Sequence, residues 1–180
     1  MHTLQWIAIQ AEDDVTEDYD VEEQMEDAFN ELRGTLESYL GGEYNGAWYD
    51  WMVVGGGRWN DNTDPYTDSD MSMVIHDTDA IKAKVEECLK YRVAEFNDYR
   101  KSFDNASVDL SAKLDSYDGT TQYSFDLYPL NKMIDMLQGE WDFNSKFYDI
   151  THYSTNPKFM LDSIASGSVN WYLVPVDFHF

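Results

Sequence analysis

The order of apolar patterns along the chain predicts an α+β fold: a ferredoxin-like, split βαβ antiparallel sheet with two long helices on one face and an inserted helical and irregular region. Three observations predict it: a short apolar run near residue 1, two long amphipathic segments, and an alternating segment near residue 180. We expect a single domain of residues 1–180, with its core at 1–103 and 171–180 and an insertion at 104–170. In that topology the first strand is central and the last strand is an edge.

Four segments are predicted to be strands. Thr3–Ala11 is an apolar run with little polar interruption, which is typical of a strand buried on both faces. Trp48–Val54 and Met71–His76 are shorter candidates. In Trp171–Phe180 apolar residues alternate with others, and Pro175 lacks the N–H that a ladder needs. We therefore expect this last strand at an edge or with a bulge.

Apolar residues at steps of three and four predict two long helices. The first covers residues 21–40, and the second begins near Asp79 and continues to about Tyr99. Cys88 falls on the apolar side of the second helix, which favours a buried core thiol over a reactive one. Shorter helices are predicted at Leu127–Leu137 and Pro157–Ala165, and residues 104–126 are predicted to be irregular or to form a hairpin around residue 118.

The net charge of the chain limits the classes of molecule that it could bind. The chain carries 35 acidic against 12 basic residues, a formal net charge of −23, while 43% apolar and 16% aromatic residues indicate a folded core. Nucleic acid and anionic membrane both require a basic face, so we expect neither as a direct partner.

The single cysteine excludes an intramolecular disulfide, no Cys/His group has zinc spacing, and no apolar run approaches a membrane span. We expect a cytoplasmic protein without metal or cofactor.

Most of the excess charge is local. Residues 12–79 contain 20 acids and two basic residues, a net charge of −18. Such clustering favours one strongly negative face over a generic solubilising surface, whose charges would be mixed. We call these acids the acidic face and expect them to bind a partner: Asp13, Asp14, Glu17, Asp18, Asp20, Glu22, Glu23, Glu26, Asp27, Glu31, Asp61, Asp64, Asp68 and Asp70. Nearby aromatics that could anchor the interface are Tyr19, Tyr44, Trp48 and Tyr66.

One motif carries a resemblance to a known group of proteins. Residues 49–60 read YDWMVVGGGRWN, an Asp-Trp, a short apolar strand and a Gly-Gly-Arg-Trp turn, and this resembles a motif of small proteins encoded by bacteriophages and prophages. The opening Met1-His2-Thr3 and the closing residues 174–179 (VPVDFH) look like the same group. The chain departs from the pattern by one extra glycine and a long insertion. The resemblance implies a phage origin, and it favours an inhibitor of host defence.

The motif at Gly55, Gly56, Gly57, Arg58 and Trp59 has two interpretations. Backbone N–H groups of the turn could hold an anion with help from Arg58. The alternative, which we favour, is a bulged turn in which Arg58 pairs with an acid and Trp59 covers the end of the sheet. No nucleotide-binding fingerprint accompanies the glycines.

Other motifs are weaker. The acids of residues 60–70 do not have the spacing of a calcium loop. The four histidines, at positions 2, 76, 152 and 179, form no paired motif, and we interpret them as single surface or core residues. Signatures of a serine or cysteine nucleophile are also absent from the sequence, so no catalytic residue is predicted.

The sequence therefore favours a non-enzymatic, phage-encoded inhibitor of the anti-CRISPR or anti-restriction type, acting in the host cytoplasm. Its acidic face would imitate duplex phosphates and block the nucleic-acid groove of a host defence enzyme. Two alternatives remain open. One is a small enzyme or ligand-binding protein with a pocket near Arg58 and Trp59. The other is an accessory protein that self-associates, as a homodimer, through its edge strand.

Overall fold

The computed structural model describes residues 1–11, 30, 33–36, 38, 40, 48–61, 71–115, 127–167 and 170–180. The strands are β1 (His2–Ala11), β2 (Trp51–Val54), β3 (Phe147–Asp149) and β4 (Asn170–His179). The α-helices with defined bounds are α1 (Thr78–Asp115), α2 (Tyr128–Gln138) and α3 (Lys158–Ser166), and residues 33–36 are also helical. The chain divides into two compact units, Met1–Cys88 with Trp141–Phe180, and Leu89–Glu140.

The described strands form one four-stranded sheet in the order β2-β4-β1-β3. β4 runs antiparallel to β1 and to β2, whereas β3 runs parallel to β1. The α+β class and the central position of the first strand are confirmed, but the expectation of an antiparallel sheet is wrong because β3 is parallel. β3 is only three residues long, too short to show a period, and it lies within the segment 104–170 that we expected to be inserted.

β4 is central, so the expectation that the last strand lies at an edge is wrong. The reason is the environment of Pro175. Val54 pairs with Val176, so Gly55 lies opposite Pro175 just beyond the end of β2, and its N–H donates to the Pro175 carbonyl over 2.7 Å. The Gly55 carbonyl, which cannot receive an N–H from proline, accepts instead from Asn60 Nδ2 at 3.1 Å. The N–H that Pro175 lacks therefore does not leave the Gly55 carbonyl unpaired.

The predicted strand Met71–His76 is wrong except at one residue. Met71–Met73 is a 3₁₀ turn, and Ile75 forms a single antiparallel bridge with Leu173. The chain then enters α1, because the Asp77 carboxylate accepts the backbone N–H groups of residues 79 and 80 at 3.1 and 2.8 Å and so caps the helix. Pairing stops because the helix begins.

The sheet is covered on both faces. On one face Ile7, Val174 and Phe178 pack with Leu36 and Leu40 of the chain that precedes β2. On the other face the alternate side chains of β1 and β4, Trp6 and Leu173 among them, pack with α1 and α3 through Ile81, Val85, Cys88 and Met160. The expectation of both long helices on one face is therefore wrong for their described residues. A central strand that is apolar on both faces needs cover on both.

The unit Leu89–Glu140 contains the rest of α1, which extends to Asp115, beyond the predicted end near Tyr99, together with α2. α2 has Pro129 in its first turn and ends at Gly139, which has a φ of 78°, as its sequence predicts. Pro129 and Met133 are the buried residues of α2, and the ring centroids of Tyr99 and Tyr128 are 6.0 Å apart. Within the described residues, no helix combines the length and the hydropathy that crossing a membrane requires.

Cys88 is buried in the core, as its helical position predicts. Burial raises the pKa of its thiol to about 11, and Glu87 adds to the shift. We expect the native thiol to react with iodoacetamide at pH 8 at least about tenfold more slowly than the urea-unfolded chain, because alkylation requires the thiolate. The chain has one cysteine, so mass spectrometry of the adduct reports this site alone. Equal rates in the native and unfolded chains would contradict the assignment.

Candidate functional site

Three segments that are far apart in the sequence meet at one end of the sheet. His2 begins β1, Trp51 begins β2, and His179 ends β4, and the strand registers pair His179 with both His2 and Trp51. The turn after β2 brings in Arg58 and Trp59. These segments are the three pieces on which the resemblance to phage proteins rests. We call His2, Trp51, Arg58, Trp59, Asp177 and His179 the terminal-strand site.

Asp177 is the buried centre of this site. Its side chain is fully buried, and its Oδ1 lies 2.9 Å from Nδ1 of His2. Oδ2 lies 3.4 Å from the backbone N–H of Arg58 and 3.7 Å from its Nε. A buried carboxylate without partners would be costly, so these contacts are what allow an acid in a central strand.

The glycine turn permits this arrangement. Gly55, Gly56 and Gly57 have φ values of 94°, 102° and 49°, which side chains disfavour. A Cβ on Gly57 would lie 2.8 Å from both Cβ and Oδ2 of Asp177, so only glycine lets the turn approach the carboxylate. The interpretation in which Arg58 pairs with an acid is confirmed. The anion beside the turn is the chain's own Asp177.

The two partners of His2 define its protonation state in this structure. Nε2 lies 2.7 Å from Nη2 of Arg58, and a guanidinium only donates hydrogen bonds, so Nε2 must accept. Nδ1 then carries the proton and donates it to Asp177. We infer from these partners a neutral imidazole with its tautomer set by a buried carboxylate, as in many catalytic histidines.

His179 lies beside His2, with the ring centroids 4.8 Å apart. Its ring stacks on Trp51 at 5.0 Å and an interplanar angle of 8°. Nδ1 is 3.3 Å from Oδ2 of the exposed Asp50 without a hydrogen bond between them, so the contact is electrostatic. Each of the two neighbouring imidazoles therefore has a carboxylate near its Nδ1.

The interpretation of His2 and His179 as isolated residues is wrong. They are 177 positions apart, and no local motif shows that they meet. The signal that could have found them is the pairing of the first and last strands, because a central β1 beside an antiparallel β4 places the two chain ends together. The edge position that we assigned to β4 obscured it.

The site is open to solvent on its outer side. The side chain of Arg58 is 42% exposed, and Trp59 and Trp51 are 40% and 36% exposed. A partly exposed cation, two exposed indoles near His2, and a buried carboxylate paired with that imidazole can together hold an anion and a planar group and can accept a proton. Among the described residues, no group of three or more His, Cys, Asp or Glu side chains could hold a metal ion, either at this site or elsewhere.

A second buried carboxylate–imidazole pair lies in the loop after β3. Asp149 is fully buried, and its Oδ2 lies 2.7 Å from Nδ1 of His152. Its Oδ1 accepts the backbone N–H groups of Thr151 and His152 at 2.9 and 3.0 Å. Both oxygens thus close the loop that precedes α3, and the pair is explained by this local structure.

Most of the acidic face lies outside the described residues. Asp61 is described and is exposed. Trp48, named as an interface anchor, instead packs its ring 5.0 Å from Phe178 and 5.4 Å from Trp141, next to the core. Outside the described residues lie Asp13, Asp14, Glu17, Asp18, Asp20, Glu22, Glu23, Glu26, Asp27, Glu31, Asp64, Asp68, Asp70, Tyr19, Tyr44 and Tyr66.

Comparison with known protein families, with curated proteins and with solved structures finds no match to this chain. The terminal-strand site must therefore be interpreted from its own geometry.

Proposed function

We propose that the protein binds a small anionic molecule with a planar ring at the terminal-strand site. The observation that carries this proposal is the partly exposed Arg58 guanidinium, which contacts buried Asp177 and His2, the residue near which the exposed indoles of Trp51 and Trp59 lie. Cationic and aromatic side chains on a rigid sheet end are the features that recognise such a ligand.

Arg58 retains capacity for a ligand. Its contact with Asp177 is made by Nε at 3.7 Å, and Nη2 donates to the neutral His2. Within the described part of the chain, Nη1 has no hydrogen-bond partner. An incoming phosphate or carboxylate can therefore take both Nη atoms in a bidentate contact without separating Arg58 from Asp177.

The aromatic rings supply a surface for the planar group. The rings of Trp51 and Trp59 both lie near His2, with centroids 5.1 and 6.4 Å from its imidazole. Stacking of a nucleobase on an aromatic side chain contributes about 1–3 kcal/mol. A nucleotide satisfies both halves of the site, because it joins a planar base to an anion.

The net charge of −23 limits the size of this ligand. Charges more than a Debye length away, about 8–10 Å at physiological ionic strength, are screened, so a small anion at Arg58 feels only the charges near the site. A nucleic-acid polymer would place many phosphates near the acidic surface and be repelled.

Isothermal titration calorimetry with AMP, adenosine and inorganic phosphate tests the proposal. We expect AMP to bind more tightly than either part. In Arg58→Gln its affinity should fall about 10–100-fold, because charged hydrogen bonds contribute about 1.5–3 kcal/mol and 1.4 kcal/mol is tenfold. Arg100→Gln is the matched control, since Arg100 is an exposed arginine on α1. Equal affinity of Arg58→Gln and wild type would remove the proposal.

A second candidate function is favoured by the concentration of charge in residues 12–79, which carry −18 of the net −23. Here the protein is a phage-encoded inhibitor whose acidic face occupies the basic groove of a CRISPR effector or restriction enzyme in the host cytoplasm. Such a complex associates fast and weakens as salt screens the attraction.

Charge reversal tests this second function. Changing Glu22, Glu23, Glu26 and Asp27 together to lysine should abolish protection of phage or plasmid DNA in a host carrying the defence system, because four acids become four like charges facing the groove. The control is reversal of Asp98, Asp104, Asp109 and Asp115 on α1, which lies outside the acidic face. Full protection by the first variant would exclude the acidic face as the surface that binds the defence enzyme.

A further inference from the structure

We infer that the terminal-strand site hydrolyses a small phosphodiester, with His2 as general base and His179 as general acid. The inference rests on the proposed binding function and deepens it by naming the substrate class and the reaction. The juxtaposition that supports it is two neighbouring imidazoles, each with a carboxylate near Nδ1, beside one exposed guanidinium.

His2 is arranged as a base. Asp177 takes the Nδ1 proton and fixes the ring, so the lone pair is on Nε2. That lone pair is occupied by Nη2 of Arg58 at 2.7 Å. A phosphate that draws Arg58 into a bidentate contact releases Nε2 at the same time. The base is thus uncovered only when an anion is present.

His179 is arranged as the acid. Trp51 holds its ring by parallel stacking, and Asp50 stands 3.3 Å from its Nδ1. The Asp50 carboxylate thus lies beside His179, whereas the Arg58 guanidinium contacts Nε2 of His2. An acid–base pair requires two neighbouring proton-transferring groups in different surroundings, and these two imidazoles provide them.

The reaction balances with water as the only co-reactant. Nε2 of His2 takes a proton from water while the water oxygen forms a bond to phosphorus. The bond from phosphorus to the leaving oxygen breaks, and His179 transfers its proton to that oxygen. The products are a phosphomonoester and an alcohol. Solvent then returns a proton from His2 to His179, and Arg58 stabilises the charge on the phosphoryl oxygens during transfer.

The turn disfavours an acyl substrate. Oxyanion stabilisation in acyl transfer uses backbone N–H groups, and four of those in the turn already donate within the chain. The N–H of Gly55 bonds to Pro175, that of Arg58 to Asp177, and those of residues 59 and 60 bond within the turn. The cation that remains suits a phosphoryl group, and the acidic surface restricts the substrate to a cyclic nucleotide or dinucleotide.

Turnover of 2′,3′-cyclic AMP, 3′,5′-cyclic AMP and bis(4-nitrophenyl) phosphate, followed by phosphorus NMR with calorimetry in parallel, tests the inference. We expect hydrolysis of at least one probe with a bell-shaped dependence of kcat/KM on pH. His2→Asn keeps a donor toward Asp177 but removes Nε2, so its rate should fall about 10²–10⁴-fold and the acid limb of the profile should disappear, with binding retained. The control His76→Asn changes an exposed histidine near the opposite end of β4.

The outcomes separate the two proposals. Binding of the probes without hydrolysis of any of them overturns this inference and leaves the binding function standing. An absence of both binding and hydrolysis overturns both. Full activity in a folded His2→Asn variant, confirmed by circular dichroism, overturns the role of His2.

Discussion

Asp177→Asn is expected to lower the free energy of unfolding by about 2–4 kcal/mol, because the neutral amide loses charged hydrogen bonds and turns a new donor toward another donor. The carboxylate is fully buried and accepts from Nδ1 of His2 and the N–H of Arg58. The amide oxygen can satisfy only one of these directions. Urea denaturation followed by circular dichroism measures the change.

The matched control for this variant is Asp162→Asn. Asp162 pairs with Lys158 on the surface of α3, where both side chains are about two-thirds exposed, so its removal should cost less than about 1 kcal/mol. Calorimetry adds a second criterion: Asp177→Asn should also bind AMP more weakly, because Arg58 loses its positioning partner. Equal stability losses in the two variants would show that Asp177 does not organise the site.

Phe178→Ala is expected to cost about 3–5 kcal/mol of unfolding free energy, the range for removing a large aromatic from a packed core. Phe178 is fully buried. Its ring lies 4.8 Å from Tyr49, 5.0 Å from Trp48 and 5.6 Å from Trp141. The cavity would open between β4 and these rings, on the face of the sheet opposite to the side chains of Asp177 and His179.

Phe159→Ala provides the comparison for this prediction. Phe159 lies on α3 and is 55% exposed, so its truncation should change the unfolding free energy by less than about 1 kcal/mol. Both variants are compared by their urea midpoints. A loss below about 1 kcal/mol for Phe178→Ala would mean that this aromatic cluster is not a cohesive core.

The sequence predicted the parts of the fold whose signal is local. The apolar run of β1, the helical spacing around Cys88, and Gly139 at the end of α2 are all found where the pattern places them. The errors concern pairing. Pro175 was assigned to an edge, and β3 was missed, because strand order depends on partners that no period in the chain encodes.

The same division applies to the site. Its turn was predicted from the glycines and Arg58, including the pairing of Arg58 with an acid. Which acid it is, and the approach of His2 to His179, follow from the register of the two terminal strands. A one-residue slip of that register would turn Asp177 to the other face.

By itself, the sequence determined the composition and the local elements of this protein: its acidity, the strongly apolar β1, the helices and the glycine turn, because each is set by residue type and short-range spacing. Only the tertiary structure decided that β4 is central, that the sheet is covered on both faces, and that two terminal histidines, an arginine and a buried aspartate meet. Those outcomes depend on hydrogen bonds and packing between residues up to 179 positions apart, which local propensity does not encode.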